Sequence, residues 1–345
     1  MACQGPREPE SAPTEHATAP TAAPAASAPA EPATPDSPEA ETTIAEAPAA
    51  PRPEAPSVVR RDERIVVTSP WLVEGLALIP DGLAFAQGGE IWTLQRADLS
   101  LKQRAKVTDP HGLVSDGTSL YWLGDADNGR MALATGKVEF LPPFGTRGQQ
   151  DDLAVGDALY GRNARGHVMR LEGMHLARVD IRTERAWSVM SGLEAGKRVV
   201  YLPILERGRG RPSFFLLRIP TGGGKPQRIE MGGPPRRTSW SVAANGSLVF
   251  LRGRSTVMQQ GVKAKAAKQR FEEPGLIALC WCGSAVYTFD GDERVLRRHA
   301  KGTTTGEVVV SDIEMPEWLA CDAERVVWST PERDHPSEIH MVSLP

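Results

Sequence analysis

Cys280, Cys282 and Cys321 come nearest, by type and spacing, to residues that could do chemistry. Cys280-Trp281-Cys282 is an i, i+2 pair. In a strand both sulfurs then share one face, and residues so placed seldom bridge each other. Three cysteines without a histidine clustered beside them speak against zinc. The histidines are scattered along the chain, and His167 and His175 stand on either side of a turn. Neither an HExxH helix nor a Gly-x-Ser-x-Gly elbow is present. Asp125-Ala126-Asp127-Asn128-Gly129 is rich in oxygen but has glycine where a calcium loop needs its fifth-position ligand. This loop and Asp290-Gly291-Asp292-Glu293 therefore read as hairpin turns. Thr221-Gly222-Gly223-Gly224-Lys225-Pro226 lacks the first glycine of a phosphate loop and has Pro226 in place of Ser or Thr, so it too is a turn. The expectation is no catalytic residue, no metal and no cofactor.

Charge gives a second lead. The formal net charge of −3 conceals a marked asymmetry. Residues 1–57 hold nine acids and two bases, whereas Gly196–Phe271 hold sixteen Lys/Arg against Glu206 and Glu230 alone. Such a block either attracts a polyanion or is a solvated surface partly neutralised by the acidic tail. Arg207, Arg209, Arg211, Arg236, Arg237, Arg252 and Arg254 are its candidate binding residues.

Something must position these side chains. The first 60 residues do not: thirteen of the 29 prolines precede Ser57, and runs such as Ala22-Ala23-Pro24-Ala25-Ala26 carry no apolar period. This stretch cannot offset the entropy of ordering and reads as a disordered, semi-stiff Pro/Ala/Glu-rich tether over 1–60, with the folded domain over 61–345. After Val58 short β-type runs recur between tight turns. Gly82, Gly117, Gly156, Gly196, Gly246, Gly283 and Ala323 mark one recurring turn, at spacings of 35, 39, 40, 50, 37 and 40. Seven units of about 40 residues match four-stranded propeller blades. Each marker is expected to join the first and second strands of a blade, Asp-Gly and Asn-Gly supplying positive φ. An aromatic or large apolar strand follows each one, as in Leu120-Tyr121-Trp122-Leu123 and Val326-Val327-Trp328-Ser329.

The seventh unit stops at its third strand, Ile339–Val342, while Ile65–Thr68 has no place in the first unit. A ring must leave no edge unpaired. Ile65–Thr68 is therefore expected to serve as the outer strand of blade seven, giving an all-β, seven-bladed propeller closed by its N-terminal strand. In that frame Cys282 and Cys321 end neighbouring inner strands. A Cys282–Cys321 or Cys280–Cys321 disulfide is expected in an exported protein, buried thiols otherwise.

Asp116-Gly117-Thr118-Ser119-Leu120-Tyr121-Trp122 and Leu217-Arg218-Ile219-Pro220-Thr221-Gly222-Gly223 carry a resemblance. The units are similar to bacterial propeller repeats of the YWTD type, related to the DUF5050-like and TolB-like propellers. The resemblance covers about residues 65–345 and implies architecture more than activity. Met1-Ala2-Cys3-Gln4-Gly5 resembles the start of a processed bacterial lipoprotein, which implies a lipid on Cys3, a cell-envelope location facing the periplasm or surface, and, with Gln4, the outer membrane. As written, no hydrophobic leader follows Met1. The expected function is a non-catalytic scaffold, monomeric by itself, that binds an envelope protein or a polyanionic polymer and no specific nucleic acid. The alternative is a metal-dependent lactonase or lyase with its site at the central channel, where Glu74, Asp151 and Asp152 are the nearest acids.

Overall fold

The structure, a computed structural model, describes residues 56–345 apart from short stretches at 62–63, 125–127, 145–152, 163–166, 180–186, 190–191, 208–210, 234–238, 244, 283, 331–335 and 345. No α-helix occurs among the described residues. The chain forms seven antiparallel sheets, the blades of a β-propeller. Blade one runs outward from the channel as Val73–Ile79, Gly82–Gln87, Glu90–Gln95 and Leu101–Lys106. The same order recurs in the blades begun by Pro110–Ser115, Leu153–Val155, Trp240–Val242 and Leu276–Cys282.

Burial follows the same outward course. Second strands are packed on both faces: Gly82–Gln87, Ala285–Asp290 and Arg325–Ser329 are buried throughout. Both faces meet neighbouring blades, which is why these strands read as near-continuous apolar runs. Outer strands such as Leu101–Lys106 and Gln227–Glu230 are largely open to water, and their sequences are polar. The aromatics of the second strands, among them Phe85, Trp122, Tyr160, Tyr201, Phe250 and Trp328, are the largest fully buried side chains. The core is thus a set of seams between blades. One seam joins Phe85 and Leu76 of blade one to Val327 and Ile339 of blade seven.

The marker turns lie between first and second strands, as the spacing requires, but the glycines serve two different needs. Gly117 and Gly246 have φ of 85° and 84°. Gly196 does not use positive φ. A Cβ there would lie 2.5 Å from the Gly246 Cα, so it is glycine because the hairpins of blades four and five touch backbone to backbone. The expectation that Asp-Gly supplies positive φ is corrected at Gly82, which does not use it: a Cβ there would run into the Leu94 carbonyl. The 50-residue spacing after Gly196 is taken up partly by blade four's second and third strands, Val199–Glu206 and Ser213–Pro220, of 8 residues each. Two short segments, Trp187–Val189 and Glu194–Gly196, both pair with Val199–Glu206.

Ring closure is the strand exchange that the missing outer strand implied. Arg64–Ser69 pairs antiparallel with Ser337–Ser343, with Ile65 opposite Met341 and Val67 opposite Ile339. A further strand, Ser57–Arg61, pairs with Arg64–Ser69 outside it, so blade seven has five strands. At the hairpin end the Arg325 guanidinium, 3% exposed, donates to the carbonyls of Gly82 (2.7 Å) and Ile79 (2.9 Å) in blade one and to Asp322 Oδ2. Closure therefore has a backbone ladder and a side-chain clasp.

Candidate functional site

Strand direction sorts the loops to two ends. The marker turns define one end. The hairpins between second and third strands, and the connections between blades, lie at the other. Gly253 N–H donates to Met231 O, and Leu276 N–H to Arg254 O, tying these loops into one rim. Arg207 and Arg211 flank the tip of the blade-four hairpin, and Arg252 and Arg254 stand at the tip of the blade-five hairpin. All four are exposed. Arg209, Arg236 and Arg237 lie outside the described residues, as do Cys3, Asp125, Asp127, Asp151 and Asp152.

The block's two acids are engaged on the flank of blade four. Arg228 donates to Glu206 at 2.7 Å and to Glu230, and its guanidinium lies 4.0 Å above the Phe215 ring. Arg254 makes a 3.4 Å ion pair with Asp292 of blade six, both groups well exposed, where screening leaves such a pair little strength. Asp290 is used inside its own turn: its Oδ1 accepts from the N–H groups of Asp292 (2.9 Å) and Glu293 (3.0 Å).

Glu74 starts the inner strand of blade one at the same end as the arginine hairpins. Burial, helped by the nearby charge of Asp109, raises its carboxyl from the usual range to about 7, and its Oε2 is buried without a hydrogen-bond partner. Exposed Trp71 and Leu72 precede it. Inside the ring is a cavity of about 320 Å³ whose lining includes Leu76, Leu113, Trp240 and Trp318 together with the polar Glu194 and Ser241.

The cysteines meet at the seam of blades six and seven. Cys282 and Cys321 are joined as a disulfide with a Cα–Cα distance of 5.7 Å. Cys280 is a buried free thiol whose pKa burial pushes well up. Among the described residues these three are the one group of metal-ligand type, with their sulfurs within 4.8 Å of one another.

Sequence reasoning missed a polar nest between blades five and six. His299 Nε2 lies 2.9 Å from Thr288 Oγ1 and 3.2 Å from Glu273 Oε2, and the ring stacks on Phe271 at 3.9 Å. Burial, then the charges of Arg270 and Arg297, bring this histidine down to about 4, so it is neutral at pH 7. No spacing signal could have found it, because the seam between two blades assembles it.

No family model and no curated protein matches this chain. Solved structures do. A chain from a mitotic checkpoint complex superposes with a TM-score of 0.58 at 12% identity, over 88% of this chain and 99% of that one. An oligogalacturonate lyase in complex with manganese gives 0.57 at 11%, over 85% and 97%. An oligogalacturonate lyase from Vibrio parahaemolyticus gives 0.57 at 10%, over 84% and 96%. At such identities the likeness establishes the propeller fold alone.

Proposed function

We propose that the chain is a non-catalytic binding propeller that captures a polyanionic polymer or an acidic protein surface at the end carrying Arg207, Arg211, Arg252 and Arg254. The observation that carries this reading is the exposure of all four at hairpin tips of adjacent blades. Arginine suits the role because its planar, always-charged fork matches carboxylate and phosphate groups. The wider setting belongs to the same proposal: a YWTD- or TolB-like domain, monomeric, held on the Pro/Ala/Glu-rich tether by a lipid on Cys3 at the outer membrane of a bacterial envelope. Low- and high-salt binding of immobilised polygalacturonate and heparin tests the capture. Binding at 50 mM salt that falls at least tenfold by 300 mM, and is lost on changing the four arginines to glutamate, is the expected result. Binding unmoved by salt and by the fourfold change contradicts it.

A second reading, a propeller lactonase or lyase, draws support from Glu74, whose carboxyl near 7 is suited to proton transfer at neutral pH. A stoichiometric divalent ion in the purified protein, with turnover lost in Glu74→Gln, would favour this second reading over the first.

A further inference from the structure

We propose that in its reduced state the chain binds one Cu(I) ion through Cys280, Cys282 and Cys321, in the wall of the channel between blades six and seven. Cys280 and Cys282 come from one face of the inner strand Leu276–Cys282, and Cys321 from the end of the neighbouring inner strand Trp318–Cys321. Metal–sulfur bonds of about 2.3 Å in a trigonal array put sulfurs about 4 Å apart. The three sulfurs lie within 4.8 Å of one another, two of them joined as the disulfide, so reduction lets Cys282 and Cys321 part towards that spacing.

The donor set selects the ion. Three thiolates are soft ligands, and soft ligands favour Cu(I). Structural zinc sites take four ligands, whereas no fourth His, Asp, Glu or Cys joins this group among the described residues. The surroundings are apolar: Ala278, Tyr287, Phe289 and Trp328 pack in the same cluster as Cys280 and Cys282. Cys280 and Cys321 both border the channel cavity.

The Cys282–Cys321 disulfide closes the site. Opening it takes two electrons and two protons from a dithiol reductant, which leaves as its own disulfide. The protein then holds three thiols, and Cu(I) displaces their protons as each S–Cu bond forms. Occupancy is thus gated by redox state: an inter-blade staple when oxidised, a metal site when reduced.

The test uses the full chain with Cys3→Ser, so that only these thiols remain. The protein is reduced with a phosphine, freed of reductant without oxygen, and titrated against a Cu(I)–bicinchoninate competitor. Expected are one Cu(I) withdrawn per chain, a thiolate-to-copper absorption band, a higher melting temperature with copper, and no uptake by the oxidised form. Cys280→Ser, which leaves the disulfide pair intact, should weaken uptake by the reduced protein at least 100-fold. No uptake by reduced protein that keeps its β-sheet circular dichroism overturns the proposal. So does uptake that Cys280→Ser leaves unchanged, or binding of one Zn(II) in preference to Cu(I).

Discussion

Glu74 shows how one side chain couples this fold to pH. Its carboxyl is raised to about 7 in the folded chain, against 4.5 for the unperturbed group. Between those values the folded state holds a proton that the unfolded state has released. Stability tied to Glu74 is therefore full below about pH 4.5 and is lost as pH rises through 7, by up to roughly 3 kcal/mol. Glu74→Gln removes this dependence. Thermal melts should show the variant close to the parent at pH 4.5 and several degrees more stable at pH 8; equal melting at both would contradict the burial argument. His299 acts in the opposite sense. Its pKa of about 4 lies below the ordinary 6.5, so its contribution is present above 6.5 and lost as pH falls towards 4. Between pH 4.5 and 6.5 the two slopes oppose and largely cancel, so Glu74→Gln should expose the rise due to His299.

At the scale of elements, the hairpin turns carry the ring's tightest contacts. Gly196→Ala places a methyl 2.5 Å from the Gly246 Cα, with the Ala243 carbonyl at 2.9 Å, and both obstacles are backbone. Overpacking against backbone should cost about 2 kcal/mol in denaturant unfolding. Gly222→Ala, where a Cβ meets nothing within 4 Å, should cost far less. The blades were legible in the sequence because turn glycines and a buried aromatic strand recur at one period. The closing strand was legible because blade seven lacked an outer strand and Ile65–Thr68 was left over. Ser57–Arg61 was not legible: Pro56 precedes it, Arg60-Arg61 end it, and an outer edge strand needs no apolar alternation. The candidate site was legible as charge but not as geometry, since spacing along the chain did not show that the arginines stand on two hairpin tips of one rim. The His299 nest left no trace in one dimension, because Glu273 and His299 belong to different blades.

For the whole molecule, a closed ring of seven sheets holds the rim loops in register. Closure rests on Arg64–Ser69, which buries Ile65, Val66 and Val67 and pairs along Ser337–Ser343. At ~1.5 kcal/mol or more for each buried side chain, that strand contributes a large part of the marginal stability of a domain. Without it the edge of blade seven is bare and invites pairing with another chain. Two truncations decide the matter, one beginning at Arg64 and one at Pro70, compared by thermal unfolding and size-exclusion chromatography. The first should melt in a single transition within a few degrees of the full chain, and the second should aggregate or lose its cooperative transition. A chain beginning at Pro70 that stays monomeric and melts like the parent would contradict closure by the N-terminal strand.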